Sequence, residues 1–432
     1  MLDLLVIGAG LSGLTTALAA AEAGLTVRIV AKGLGALHWS AGTIDVLGYL
    51  PGAPFAVEEP FAAIAQLPER HPYRILGAER VAASLRRFQT LIAQAGLDYT
   101  GAPDLARNQL LPSAVGAVRP IFLAPAAQQH GDTQASAPML IVGIAGLRDF
   151  YPELVAENLA KQGIHARAAF VPWESVADQR DRNNMQLAIG LDDPAQRRKL
   201  AQALKALMRP GERIGMPAIL GMADHAAVMA ELEAATGATL FEVPTLPPSV
   251  PGARLHAALR NALRARAVRL ESNMEAIGFG VDEGPQGAHV AWVETATSAR
   301  PLRHQARAYV LATGGVLGGG FTSDPTGRFW ERIFDLPLTV PQDRRAWFRP
   351  AFLDTAGQPV FHGGVAVDDQ LQPRAGAGPR VYANLWAVGG ALADADPIME
   401  RSMEGIAIAT GMVAAAHVAA SLRTRAATVA AA

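Results

Sequence analysis

The chain has 432 residues, half of them hydrophobic, with 38 Lys plus Arg against 39 Asp plus Glu. That length supports roughly two or three domains with sizeable cores, and the balanced charge excludes a global field drawing it to nucleic acid or anionic lipid. There is no cysteine, which excludes disulfides, thiol nucleophiles and thiolate-held iron–sulfur clusters.

Leu2 to Ile7 is an apolar run ending at Gly8, the pattern of a strand buried on both faces. Leu14 to Ala23 reads as a small-residue helix stopped by Gly24, and Leu25 to Val30 as the next strand. The opening lacks a basic n-region and carries Asp3, so it is expected to be folded and retained. Beyond a Pro-rich stretch, Glu79 to Ala95 has helical spacing, with Val81, Leu85, Phe88, Leu91 and Ile92 on one face. Ala124 to Pro138 reads as an exposed loop, Met139 to Ile144 as a strand, and about 149–162 and 192–207 as helices.

Pro244 to Pro251 holds four prolines in eight residues and reads as neither helix nor central strand. Leu255 to Ala267 reads as a basic helix, with Arg254, Arg260, Arg264, Arg266 and Arg269 on a solvated or partner-facing surface. Ala291 to Glu294, Ala308 to Ala312, Val360 to Val367 and Val381 to Val388 read as strands. Ile406 to Leu422 is Ala-rich and short of the ~20 strongly apolar residues a membrane span needs, so a buried packing helix is expected, with no transmembrane segment. These elements place the chain in the α/β class. A discontinuous nucleotide-binding domain, residues 1–70 and 256–432, is expected to enclose an inserted α+β, cap-like domain at 71–255.

Gly8-Ala9-Gly10-Leu11-Ser12-Gly13 is G-x-G-x-x-G between a strand and a helix. Gly8 permits the tight turn, Gly10 lets a phosphate approach the backbone, and Gly13 lets helix and strand pack closely. The amides of Leu11, Ser12 and Gly13, at the positive end of the helix dipole, would face the phosphates. The acid expected ~20 positions on to hold an adenosine ribose is missing. Strand two ends in Val30-Ala31-Lys32, and the nearest following acid is Asp45. The site is thus expected to hold a mononucleotide, to hold adenosine differently, or to set Lys32 against phosphate.

Ala308 to Gly315 resembles the second strand of flavoproteins of the fumarate reductase and glutathione reductase kind, whose A-T-G-G end passes the dinucleotide; here it is Ala312-Thr313-Gly314-Gly315. Val381 to Gly390 resembles their terminal L-[YF]-A-x-G motif, with Gly389 and Gly390 at its end. Longer stretches are similar to the B-type subunit of the anaerobic glycerol-3-phosphate dehydrogenase complex. They are Ala36 to Leu47, Val142 to Phe150 (V-G-I-x-G-L-x-D-F), Pro244 to Leu255 (P-T-x-P-P-S-V-x-G-x-R-L) and Asp396-Pro397-Ile398.

That resemblance implies a Rossmann-like, glutathione-reductase-type flavin-binding domain using FMN, with FAD the alternative. It implies a complex with an FAD-containing, catalytic A-type subunit, together with an iron–sulfur, membrane-anchoring C-type subunit. Such a complex oxidises sn-glycerol 3-phosphate to dihydroxyacetone phosphate in glycerol catabolism and passes electrons to quinone. The chain itself would lie in the cytoplasm, peripheral on the inner face of the membrane. Met399 to Gly405 departs from the family pattern. A self-sufficient FAD oxidoreductase on another small substrate and a non-catalytic scaffold are the competing readings.

Ser40, Gly42 and Thr43, in the loop after strand two, are candidates for flavin phosphate or ribityl hydroxyls. His38 is read as a loop hydrogen-bonding residue and not a covalent flavin attachment. The ten histidines form no H-x-x-H or H-E-x-x-H, so no metal site is expected. Arg328, Arg374, Arg380 and Arg401 are candidate phosphate binders or plain surface arginines, and no catalytic acid or base is assigned.

Overall fold

The computed structural model describes residues 2–102, 105–172, 183–284, 287–298, 300–376 and 378–431. They form two compact units. The first comprises Met1–Ala36, Asp45–Gly96 and Ala258–Ala432, the second Leu37–Ile44 and Leu97–Ala257.

The first unit is built on β1 (Leu2–Ile7), α1 (Leu11–Glu22), β2 (Val27–Ala31), α2 (Ala78–Gln94), β3 (Arg269–Ser272), β4 (Ala306–Leu311), β5 (Leu385–Ala387) and α3 (Met403–Ala431). Its main sheet runs β3-β2-β1-β4-β5, parallel throughout. Leu4 faces Val27 on one neighbour and Ala308 on the other. Leu4, Leu5, Val6, Ile29, Val30, Val310 and Leu311 are all fully buried, as near-continuous apolar strands covered on both faces must be. The α/β class and nucleotide-binding architecture read from the sequence are both present.

Helix α3 begins before and ends after the expected 406–422 stretch. Its 403–425 portion is long and apolar enough to cross a membrane, yet 78% of that portion's most apolar window is buried within the protein. Small residues make this burial possible: a Cβ on Gly411 would lie 2.9 Å from both Ser12 O and Thr16 Oγ1 of α1. Helix α2, expected in the insert, belongs to the first unit, and its Val81, Leu85, Phe88, Leu91 and Ile92 are buried as its spacing predicts.

The second unit carries a four-stranded parallel sheet ordered Leu240–Val243, Arg213–Pro217, Met139–Ile144, Ala166–Val171. Two short antiparallel ribbons accompany it, pairing Tyr99–Thr100 with Ala124–Pro125 and Gln109–Pro112 with Val118–Ile121.

Several sequence expectations change. The supposed exposed loop at 124–138 starts as a buried strand and a short helix, Ala126–Gln129. Val250-Pro251-Gly252 opens a helix running Val250–Ala265, because proline is tolerated in a first turn where its missing N–H leaves no intrahelical bond unmade. Val360 to Val367 is a short helix, Pro359–His362, followed by single bridges at Val365 and Val367. The strand at 291–294 is half of a longer hairpin, Ala276–Gly284 with Gly287–Thr295.

Arg254 is also not on a surface. Its Nη1 donates to Glu242 Oε2 at 2.7 Å and its Nε to Gly221 O at 2.9 Å, and both members of the ion pair are buried. Burial alone would raise the Glu242 pKa, but the Arg254 charge outweighs it and leaves it below the usual carboxylate range.

Candidate functional site

The glycine-bearing segments of the first unit converge. A Cβ on Gly8, at φ +117°, would sit 2.3 Å from Ala312 O; on Gly13, 2.1 Å from Gly8 O; on Gly35, at φ +72°, 2.7 Å from Gly10 Cα. The same holds further along the chain: Gly315 would meet Gly390 O at 2.3 Å and Gly389 would meet Ser12 Oγ at 2.6 Å. Bare backbone is therefore required for the turn after β1, the end of β4 and the end of β5 to lie together.

Gly10 differs, because a Cβ there would meet nothing within 4 Å. It is the N-cap of α1, with ψ 179° and no capping side chain. The first intrahelical bond runs from Leu14 N–H to Gly10 O, so the N–H groups of Leu11, Ser12 and Gly13 have no helical acceptor. Thr313 Oγ1 is a buried hydroxyl with no hydrogen-bond partner among the described residues. Open space over Gly10, orphan amides at a positive helix end and an unpaired hydroxyl are the donors a phosphate-bearing nucleotide uses. On these grounds the residues present fit such a cofactor.

Glycine spacing located Gly8 to Gly13, Thr313 to Gly315 and Gly389 to Gly390, which the structure brings together. It missed Gly35, which packs against the Gly10 backbone, and Thr410, whose hydroxyl accepts from Gly389 N–H at 2.9 Å and donates to Ile406 O. Only Gly35, two residues after Gly33, could have been flagged, while Thr410 gives no sequence signal.

Lys32 meets a carboxylate in this structure. Its Nζ lies 2.9 Å from Glu275 Oε1, an oxygen that also accepts from Arg332 Nη2 at 3.0 Å, and the Lys32 side chain is 65% exposed. Glu275 reaches this point because Met274 N–H continues the β3 ladder to Ala31 O.

Ser40, Gly42 and Thr43 belong to the second unit. Ser40 Oγ accepts from Gly42 N–H at 3.2 Å, and Gly42 O accepts from Tyr99 Oη at 2.6 Å. Gly42, at φ +77°, has no room for a side chain, since Pro251 Cβ would be 2.4 Å away. Thr43 is buried. His38 packs 5.2 Å from His256, and burial lowers its pKa.

Of the candidate arginines, Arg380 Nε is 2.6 Å from Asp368, Arg328 stacks 4.9 Å over Trp330, and Arg374 donates to Gly378 O. No metal-holding group of His, Asp and Glu occurs among the described residues.

An FAD binding domain family model matches residues 3–405. The probable B subunit of anaerobic glycerol-3-phosphate dehydrogenase from Halobacterium salinarum is 36% identical over 425 residues, covering 95% of this chain and 96% of that protein. The B subunit of anaerobic glycerol-3-phosphate dehydrogenase from Pectobacterium atrosepticum is 32% identical over 422 residues, covering 95% and 96%. This chain belongs to that family. The resemblance drawn from the short motifs therefore holds over almost the whole length, and the fold is that of an FAD binding domain.

Proposed function

We propose that the chain is the flavin-binding electron-transfer subunit of a glycerol-3-phosphate:quinone oxidoreductase, working within a complex. The observation that carries this reading is the open cradle at Gly10, with its unpaired amides, in a chain 36% identical to the probable B subunit of a glycerol-3-phosphate dehydrogenase. In it, Gly8, Gly10, Leu11, Ser12, Gly13, Thr313, Gly314, Gly315, Gly389 and Gly390 hold the cofactor's phosphate and sugar end. When bound, the flavin supplies hydride or electron uptake. The chain's own groups bind and orient it.

FMN is the favoured flavin, since Lys32 stands where an adenosine-holding acid is expected and is occupied by Glu275. FAD is the second reading, favoured by the match to an FAD binding domain. The cysteine-free sequence puts any iron–sulfur cluster in another chain. Partners carrying FAD and clusters, with the second of them on the inner face of the cytoplasmic membrane, complete the reading. Acid release and chromatography of the chromophore from the purified chain decide between the flavins, and a folded but colourless protein would overturn the proposal. Activity only on co-expression with partner subunits is expected, whereas turnover by the isolated chain would favour the self-sufficient enzyme.

A further inference from the structure

Residues 346–356 of the first unit form an outward-facing knob. Phe352 is 90% exposed, Leu353 86% and Phe348 59%, although adjacent large apolar side chains are rarely left this bare on a monomer. The knob is not slack. The buried Gln358 side chain donates to Ala351 O and Phe352 O at 2.9 and 3.0 Å, and accepts from Arg349 N–H at 2.7 Å. Trp347 is buried and anchors the other end, its indole N–H donating to Pro341 O at 2.8 Å. These clamps hold Phe352 and Leu353 outward in advance, so docking them costs little ordering entropy. Arg344, Arg345 and Arg349 stand at the base of the knob, and among the described residues only Arg345 meets a carboxylate, that of Asp343 at 2.7 Å.

The same unit carries a hole. A cavity of about 470 Å³ has Pro72, Ile75, Val365 and Leu392 among its apolar walls, with Glu69, Asp369 and Asp394 around them. No hydrogen bond or ion pair satisfies these three carboxylates among the described residues. Asp368 also lines the cavity but is held by Arg380 Nε at 2.6 Å, and Arg374 donates to Gly378 O. Arg70 is the remaining cation, so the charge left open in the cavity is negative. Knob and hole are neighbours, because Arg349 and Asp394 line one smaller cleft and Asp394 also lines the cavity.

The two features complement each other. The knob is convex and apolar at its tip with cations at its base, and the hole is concave and apolar within, with acids around it. A two-fold axis between neighbouring features of this kind seats each copy's knob in the other's hole and makes the contact twice. Aromatic, leucyl and arginyl side chains entering a pocket are also the groups that dominate protein interfaces. We infer that this surface joins two copies of the chain, with Phe352 and Leu353 of each copy in the cavity of the other. Arg344 and Arg349 then meet Glu69, Asp369 and Asp394 of the second copy. A bilayer fits less well, since Asp343 and Asp354 belong to the same knob and would face its anionic phosphates. The inference goes beyond the flavin reading and does not depend on it.

Sedimentation equilibrium of the purified full chain over a concentration series tests it. The mass should rise from one copy to two and stop there, and added salt should weaken the association several-fold because the surrounding contacts are charged. The double variant Phe352→Ser/Leu353→Ser should raise the dimer dissociation constant about a hundredfold or more, as loss of two central apolar anchors does. Its melting temperature and flavin content, measured in dilute solution, should match the parent because both side chains are exposed. Ile75→Trp, which fills the hole, should separate the copies in the same way, and Asp369→Arg, at an exposed position, does so by charge alone. The knob variant and the filled-hole variant, each monomeric by itself, should pair when mixed, because one intact knob still faces one intact hole. A parent that is monomeric throughout, a dimer that survives loss of Phe352 and Leu353, or a mixture that stays monomeric would each overturn the inference. So would a monomeric parent that sediments with phosphatidylglycerol vesicles, or one that needs Phe352 and Leu353 to be recovered with co-expressed partner subunits. Those results would give the knob to a bilayer or to another protein.

Discussion

Gly10 and Gly13 lie three residues apart in one motif and are needed for different reasons. Gly13 has no room for a side chain, because a Cβ would lie 2.1 Å from Gly8 O. Gly13→Val should therefore lower the melting temperature and flavin content together, at a cost of about 1–3 kcal/mol for overpacking. Gly10 borders open space, so Gly10→Val should leave stability within about 1 kcal/mol of the parent while emptying the cradle. Lys32 gives a contrasting test: its exposed ion pair with Glu275 contributes under about 1 kcal/mol, and Lys32→Ala should leave flavin content unchanged. Loss of flavin in that variant, read from the visible spectrum, would put Lys32 on the cofactor phosphate after all. The spacing G-x-G-x-x-G was legible because backbone geometry dictates it. Thr410 and Glu400 were not, because their roles depend on segments far apart in sequence meeting in space.

Met399 to Gly405 departs from the family pattern, and the network around Glu400 explains how the chain is held ahead of α3. Glu400 accepts from His71 Nε2 at 3.0 Å, from Ser402 Oγ at 2.9 Å and from Asp396 N–H at 3.1 Å. Its carbonyl accepts from Gly48 and Tyr49 N–H groups. His71 Nδ1 accepts from Tyr73 N–H, so the proton sits on Nε2 and points at Glu400. Burial raises the Glu400 pKa, but the His71 and other hydrogen bonds outweigh it, and the net shift is below the ordinary 4.5. Its stabilising contribution is therefore present above pH 4.5 and lost as pH falls through the lowered value. Glu400→Gln should cost about 2 kcal/mol at pH 7 and flatten the acid limb of a stability-against-pH curve.

Asp396, four residues earlier, has the opposite sign. Burial holds its pKa above the ordinary 3.8, so it removes stability as pH rises through that window. Asp396→Asn, which keeps an acceptor for the Ile398 and Met399 N–H groups, should leave the chain at least as stable at pH 7, to within about 1 kcal/mol. Chemical denaturation of both variants across pH 3 to 8 would contradict this account if the two shifted stability in the same direction. Helix α2 was readable from its spacing because one face is buried and the other solvated. Val360 to Val367 was misread because a short apolar run looks alike in a strand, a single helical turn and a bridge.

At the scale of the molecule, the parallel sheet β3-β2-β1-β4-β5 accounts for why strands separated by some 300 residues in sequence carry one site, since Leu4 pairs with Ala308 and Tyr309 with Leu385. The α/β class was legible because such strands are continuous apolar runs ending in glycine. The division into units was less so: 37–44 and 45–96 fall on different sides of it, and no composition change marks that switch. Whether the cradle over Gly10 holds a flavin is read from the flavin content of the purified parent and Gly10→Val chains, each checked for fold by circular dichroism. A yellow parent with stoichiometric flavin and a folded, colourless Gly10→Val chain are expected. A colourless folded parent, or a Gly10→Val chain that keeps its flavin, would contradict it.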